Sequence, residues 1–245
     1  MNKKTRLSDY DNSLVKSTAE KLTKKEKTTK GKVEKIFYYV RDGISFAFPP
    51  KGDFMKASET IRYGKGQCNT KSTLFLALCQ AIGIEARIHF SLIKKEIQRG
   101  LFTNLAYKIM PDFLSHSWIE VKIDETWRKI DSFINDNAFY LAGKKKLREQ
   151  KWDTGYSISC SSGESSSDFN IDKEKFVQMD AVTTDHGVWN EPSDYYKTDL
   201  YQNNPGFIKV LTYRFLIIGI NKKIKKMRKS CSTGLCRQIK EDDIF

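Results

Sequence analysis

The chain has 245 residues, 39% apolar and 12% aromatic, which is enough for the core of one ordinary domain and inconsistent with wholesale disorder. Its 43 Lys and Arg outnumber 30 Asp and Glu, and the formal charge of +13 favours phosphates, anionic lipid or acidic protein while saying nothing about fold. No window approaches the roughly 18 uncharged residues of a membrane span, and the polar start MNKKTRLSDYDNSLVKS lacks a secretory apolar stretch.

In chain order, residues 8–30 carry a weak helical pattern through Leu14, Val15, Ala19 and Leu22. A second helix follows from Gly31, with Val33, Ile36, Phe37 and Val40 on one face, ending near Asp42-Gly43. Residues 44–48 read as a short extended piece stopped by Pro49-Pro50, and residues 58–63 as a short helix or turn. After Gly64 and Gly66, residues 68–82 form a strong helical segment, apolar nearly all round in its second half and therefore buried.

Three runs of alternating polarity, 84–93, 116–123 and 126–131, predict half-buried strands. The connection 94–115 is long for a bare loop and predicts a short helix or a lid. Residues 138–150 suit a basic helix, and SISCSSGESSSD (157–168) an exposed serine-rich loop. Phe207, Val210, Leu211, Phe215 and Ile218 recur at helical spacing in 207–229, a segment with eight basic residues and no acid. It suits a helix on an anionic membrane surface or docked to an acidic partner, or a C-terminal helix packed on the rest of the protein with a solvated lysine tail, the last being preferred. The expected divisions are a core at 1–153, a loop-rich extension at 154–206 and a basic helix and tail at 207–245.

Five cysteines in no framework spacing (68, 79, 160, 231 and 236) suggest reduced thiols and a cytoplasmic protein, with peripheral membrane contact only through 207–229. Three dispersed histidines argue against a metal site. No phosphate-binding glycine loop is present, no cofactor is implied, and no recognisable module supports nucleic-acid binding.

Cys68 opens the buried helix, where the positive end of the helix dipole and the free N–H groups favour a thiolate and a developing oxyanion. With a neighbouring imidazolium, such a thiol is expected to titrate below the ordinary range. If Asp124-Glu125 is a two-residue hairpin loop, Ile123 opposes Thr126 and Asp131 opposes Trp118. His116 and Asp131 then share a face one diagonal step apart, roughly 7–8 Å between Cα atoms. Cys68, His116 and Asp131 are thus the nucleophile, base and orienter candidates. Cys79, deep in the same helix, reads as inert. His89, with no partner evident, reads as structural. His186 is a candidate for bordering a substrate cleft, against a surface or packing role.

GQCNTKSTLFLALCQAIGIEARI, SHSWIEV and ETWRKIDS together resemble the transglutaminase-like superfamily. The matching positions are Gly66 and Cys68; Gly83, Ile84, Ala86 and Arg87; His116, Trp118, Glu120 and Val121; Trp127 and Asp131. FYYVRDGISFAF resembles the family's lead-in, the likeness spans about residues 10–135, and Ser132 stands where many relatives have proline. The resemblance implies an α+β, papain-like fold in which the cysteine helix packs on an antiparallel sheet. It also implies acyl transfer through a thioester, acting on a protein, peptide or amide substrate. Hydrolysis by a protease, amidase or deamidase is preferred to crosslinking, since water is always present and a transferase must exclude it. Gln67, through its backbone rather than its amide, and Trp118 are oxyanion or substrate-binding candidates. A binding or scaffold domain without activity is the alternative, which the intact Cys–His–Asp set disfavours.

Overall fold

Helix α1, Ser13–Thr23, begins where the Asn12 side chain accepts the Leu14 N–H at 3.0 Å, and α2, Thr29–Tyr38, where Thr28 Oγ1 accepts the Gly31 N–H at 3.1 Å. In this computed structural model, residues 6–102, 104–160, 165–172, 176–203 and 207–232 are described, except the side chains of 104, 207–212, 231 and 232. A wider turn, Tyr39–Gly43, leads from α2 into strand β1, Ser45–Phe46. Helix α3, Ala57–Tyr63, ends at Gly64, whose φ of 66° is the left-handed cap that glycine takes without strain. Strand β2, Lys65–Gly66, runs parallel to β1 and delivers the chain to helix α4, Cys68–Ala81. A Cβ on Gly66 would stand 2.7 Å from Thr70 Oγ1, so this approach to α4 requires glycine.

Strand β3, Ala86–Lys94, is followed by a 3-10 turn (Lys95–Gln98) and helix α5, Asn104–Lys108, the short helix expected in that connection. Strands β4, Phe113–Ile123, and β5, Thr126–Ile130, form a hairpin in which Ile123 faces Thr126 and Ile119 faces Ile130. Asp124 and Glu125 are its two loop residues, with φ values of 49° and 60°. Helix α6, Asn137–Gln150, precedes the small pair β6, Thr154–Gly155, and β7, Ile158–Ser159. Strand β8, Val182–Trp189, short helix α7, Pro192–Tyr195, and helix α8, Phe207–Ser232, complete the order.

The main sheet is antiparallel, ordered β5-β4-β3-β8, and α4 packs across β3 and β4. This is the α+β arrangement of a buried helix on an antiparallel sheet. Every residue from Asn69 to Cys79 is buried, as a helix apolar on most of its surface must be. One apolar cluster runs from Leu7 in the N-terminal segment through α4 to Met227 in α8, so the later segments share the core of the earlier ones.

Three expectations change. Ser157, Ser159, Ser165 and Ser167 are buried, although 157–168 reads as an exposed loop; residues 161–164 lie outside the described set. Their hydroxyls and carbonyls have partners: Ser157 Oγ donates to Asn135 Oδ1 at 2.9 Å, and Arg41 donates to the Ser167 carbonyl at 2.7 Å. His89 is not partnerless, for its ring nitrogens lie 2.7 Å from Glu120 and 2.6 Å from Asp185 on β8. In α8 the buried stripe is Ile217, Ile220, Ile224 and Met227, while Phe215 and Ile218 are 72% and 66% exposed. Polar ties accompany that rotation: Asn221 Nδ2 donates to the Phe48 carbonyl at 2.8 Å, and Arg228 forks onto Asp136 at 2.8 and 2.6 Å.

Candidate active site

Gln67 caps α4 and immediately precedes Cys68. Its N–H donates to Thr70 Oγ1 at 2.9 Å, while its side-chain oxygen accepts the Asn69 N–H at 3.4 Å and the Cys68 thiol at 2.8 Å. Its amide nitrogen donates to Asp53, which fixes the oxygen toward the sulfur. The amide therefore presents an acceptor to Cys68 rather than an oxyanion donor. Backbone N–H groups of Asn69, Ser117 and Cys68 itself lie close enough to stabilise a negative sulfur.

Asp53 carried no signal in the sequence. It is buried and accepts from Asn69 Nδ2 at 2.9 Å, Tyr201 OH at 2.8 Å and Asn203 Nδ2 at 2.9 Å, besides Gln67. Burial lifts its carboxyl pKa above the ordinary range, and these donors offset that only in part. Two of the donors, Tyr201 and Asn203, come from the stretch before α8, far along the chain, and Asn203 also bonds the Ser115 backbone beside His116. Only the folded chain brings these groups together.

The half-buried Cys68 thiol is pushed up by burial and by the charge of Asp53, against the backbone N–H groups that favour its ionised form. The expectation of a thiol held below the ordinary range is thus reversed. Its second premise fails as well, because burial drives the His116 imidazole down to about 3. The resting pair is a neutral thiol and a neutral imidazole. Both line one cavity of about 620 Å³, together with Asp53, Gln67 and Gln178.

His116 is fully buried, and neither ring nitrogen has a hydrogen-bond partner among the described residues. Asp131 lies just past β5, in the hairpin register the sequence predicts, but its carboxylate accepts the N–H groups of Val177 and Gln178, each at 2.8 Å. The expected Asp131–His116 hydrogen bond is not formed. Burial raises Asp131 to about 7 despite those backbone donors.

Trp118 stacks on His89 at 4.2 Å between ring centroids and stands 6.2 Å from His116, flanking the imidazole rather than lining the cavity. His186 is on β8 with Nδ1 2.8 Å from Tyr195 OH, also away from the cavity wall. Cys79 is buried, and burial raises its thiol pKa. Among the described residues no cluster of three His, Cys, Asp or Glu side chains could hold a metal ion, and no helix is long and apolar enough to cross a membrane.

A helix-first cysteine and a strand histidine thus face one cavity, carried by a helix packed on an antiparallel sheet. Residues 16–132, just under half of the chain, match the model of the transglutaminase-like superfamily. No curated protein matches the chain. Among solved structures, a candidate cysteine protease from Cytophaga hutchinsonii is 17% identical with a TM-score of 0.46, the match covering 78% of this chain and 46% of that one. A candidate protease from Parabacteroides distasonis is 14% identical with a TM-score of 0.36, covering 51% of this chain and 25% of that one. The chain matches about half the length of the first and a quarter of the second.

Proposed function

We propose that the chain is a thiol-dependent enzyme that hydrolyses peptide or carboxamide bonds through a thioester on Cys68. The observation that carries this reading is that Cys68 and His116 face one cavity, with backbone N–H groups around the sulfur. Because both groups rest neutral, His116 acts as a general base during attack rather than as half of a standing ion pair. The Cys68 proton moves to His116 as the S–C bond forms. The C–N bond then breaks, and His116 passes that proton to the leaving amine. Water next gives a proton to His116 and its oxygen to the acyl carbon. The C–S bond breaks, and the proton returns to sulfur.

Asp131 supports the imidazolium in this scheme. Its carboxylate is held by the Val177 and Gln178 N–H groups, so in this scheme it acts on the imidazolium by charge rather than through a hydrogen bond. Incubation with a peptide library, with and without a primary amine, tests the reading by product mass. Wild type should give cleaved or deamidated products and Cys68→Ala none. Amine-linked products would replace hydrolysis by transfer, and identical inertness of both proteins would favour a binding domain.

A second reading concerns association rather than chemistry. The exposed stripe of α8 sets Phe215 and Ile218 in line with Lys222, Lys225, Lys226 and Lys229, a pairing suited to an anionic bilayer surface. Co-flotation with vesicles containing phosphatidylserine, lost in Phe215→Ser/Ile218→Ser, tests it. Equal recovery with neutral vesicles, or none with either, counts against it.

A further inference from the structure

The cavity beside Cys68 is lined by polar residues, Lys51, Gln98, Gln202 and Arg214 among them, and by a group of large apolar side chains, and several of its polar groups already have partners. Asn203 bonds Asp53 and Ser115, and Gln178 Nε2 donates to the Ser157 carbonyl at 3.0 Å. Phe48, Phe102, Ile93, Ile97, Met110 and Leu114 line the same cavity. Phe48 and Phe102 meet edge to face at 5.4 Å, so that side of the cavity is aromatic.

The apolar character continues outward. Phe54, on the wall, is 42% exposed. Leu105 and Ile109, just before the wall residues Met110 and Pro111, are 72% and 75% exposed. Large apolar side chains held in water next to the apolar part of a cavity mark a surface that a ligand covers. At about 620 Å³ the space exceeds one methyl-sized side chain and falls in the range of ligand pockets, about 300–1,000 Å³.

We infer that the acyl donor attacked by Cys68 is a peptide with a bulky apolar or aromatic side chain next to the reacting carbonyl, seated between Phe48, Phe102, Ile97 and Met110. This rests on the reading of Cys68 as nucleophile and adds the substrate class.

Two measurements separate this inference from the catalytic reading. In the first, N-acetyl amino acid methylamides of Phe, Leu, Ala and Gln are titrated against Cys68→Ala by NMR, with Cys68→Ser as a second background should the first not fold. Phe and Leu should bind about tenfold or more tighter than Ala and Gln, and Phe102→Ser should erase most of that difference. In the second, matched chloromethyl ketones are reacted with wild type, and the rate at Cys68 is read by mass spectrometry. If Phe and Leu amides bind best but Cys68 never reacts, the apolar side-chain site stands while the catalytic reading, and with it the acyl-donor role of that peptide, falls. If Cys68 reacts but the amides bind equally, or none binds measurably, or Gln binds best, the inference is overturned.

Discussion

The Cys68 thiol donates a 2.8 Å hydrogen bond to the side-chain oxygen of Gln67, and the buried Asp53 holds that amide in place. A donated S–H is a protonated sulfur, so this contact holds Cys68 in its neutral form. The arrangement opposes what the helix N-terminus does to the same atom. Burial and the Asp53 charge outweigh the backbone N–H groups, which are placed to stabilise a negative sulfur or oxyanion.

Neutralising Asp53 should therefore free the thiol. With the carboxylate charge gone, the Cys68 pKa falls toward its ordinary value, and the thiolate fraction at neutral pH rises. Iodoacetamide labelling of Asp53→Asn at pH 7.5 should be several-fold faster at Cys68 than in wild type, with Cys160 as internal control. Labelling at an unchanged or slower rate would show that Asp53 does not hold the thiol neutral.

The pH dependence of turnover should follow Asp131 rather than His116. His116, at about 3, is already a neutral base throughout the neutral range. Asp131, raised to about 7, gains its charge only above that pH, so kcat/KM should climb as pH rises through about 7. In Asp131→Asn that limb should vanish and the plateau fall. A limb unchanged by the substitution would assign it to another group.

Lys71 lies three residues beyond Cys68, fully buried, with its amine 3.1 Å from the Arg41 carbonyl. Burial takes its pKa down from 10.5 to about 7, against the opposing charges of Asp136 and Asp42. Between those values the unfolded chain binds the proton that the folded chain lacks, so stability rises with pH across the window. Denaturant titrations should show wild type gaining on Lys71→Met by about 1 kcal/mol per pH unit from pH 7.5 to 9.5. Parallel curves for the two proteins would refute a neutral Lys71.

Glu125 occupies the left-handed region, with φ of 60°, in the loop that sets the register between β4 and β5. A side chain there costs about 1 kcal/mol that glycine avoids. The ion pair it makes with Lys122 at 2.7 Å is exposed and contributes little. Glu125→Gly should raise the melting temperature by about 2 °C; a fall would show that the loop is not strained at this residue.

Periodicity alone placed the helix that Cys68 opens and the three strands that follow it, because burial on one face writes itself into local spacing. The tight hairpin was equally local, and Ile123 does face Thr126. Strand β8 was hidden, since its exposed edge residues carry little alternation. In α8 two apolar stripes satisfy the same helical period, and tertiary ties from Tyr213, Asn221 and Arg228 accompany the burial of one of them.

The sequence by itself determined the residue types and their order: a cysteine at a helix start, a histidine on one strand, an aspartate at the end of the next. Tertiary structure decided their protonation and partners. Asp53, Tyr201 and Asn203 meet at the thiol across a separation that no local pattern reports. Asp131 spends its hydrogen bonds on Val177 and Gln178 rather than on His116. The physical reason is common to both. Desolvation and hydrogen-bond geometry depend on which distant groups exclude water from a site, and spacing along the chain carries no record of that.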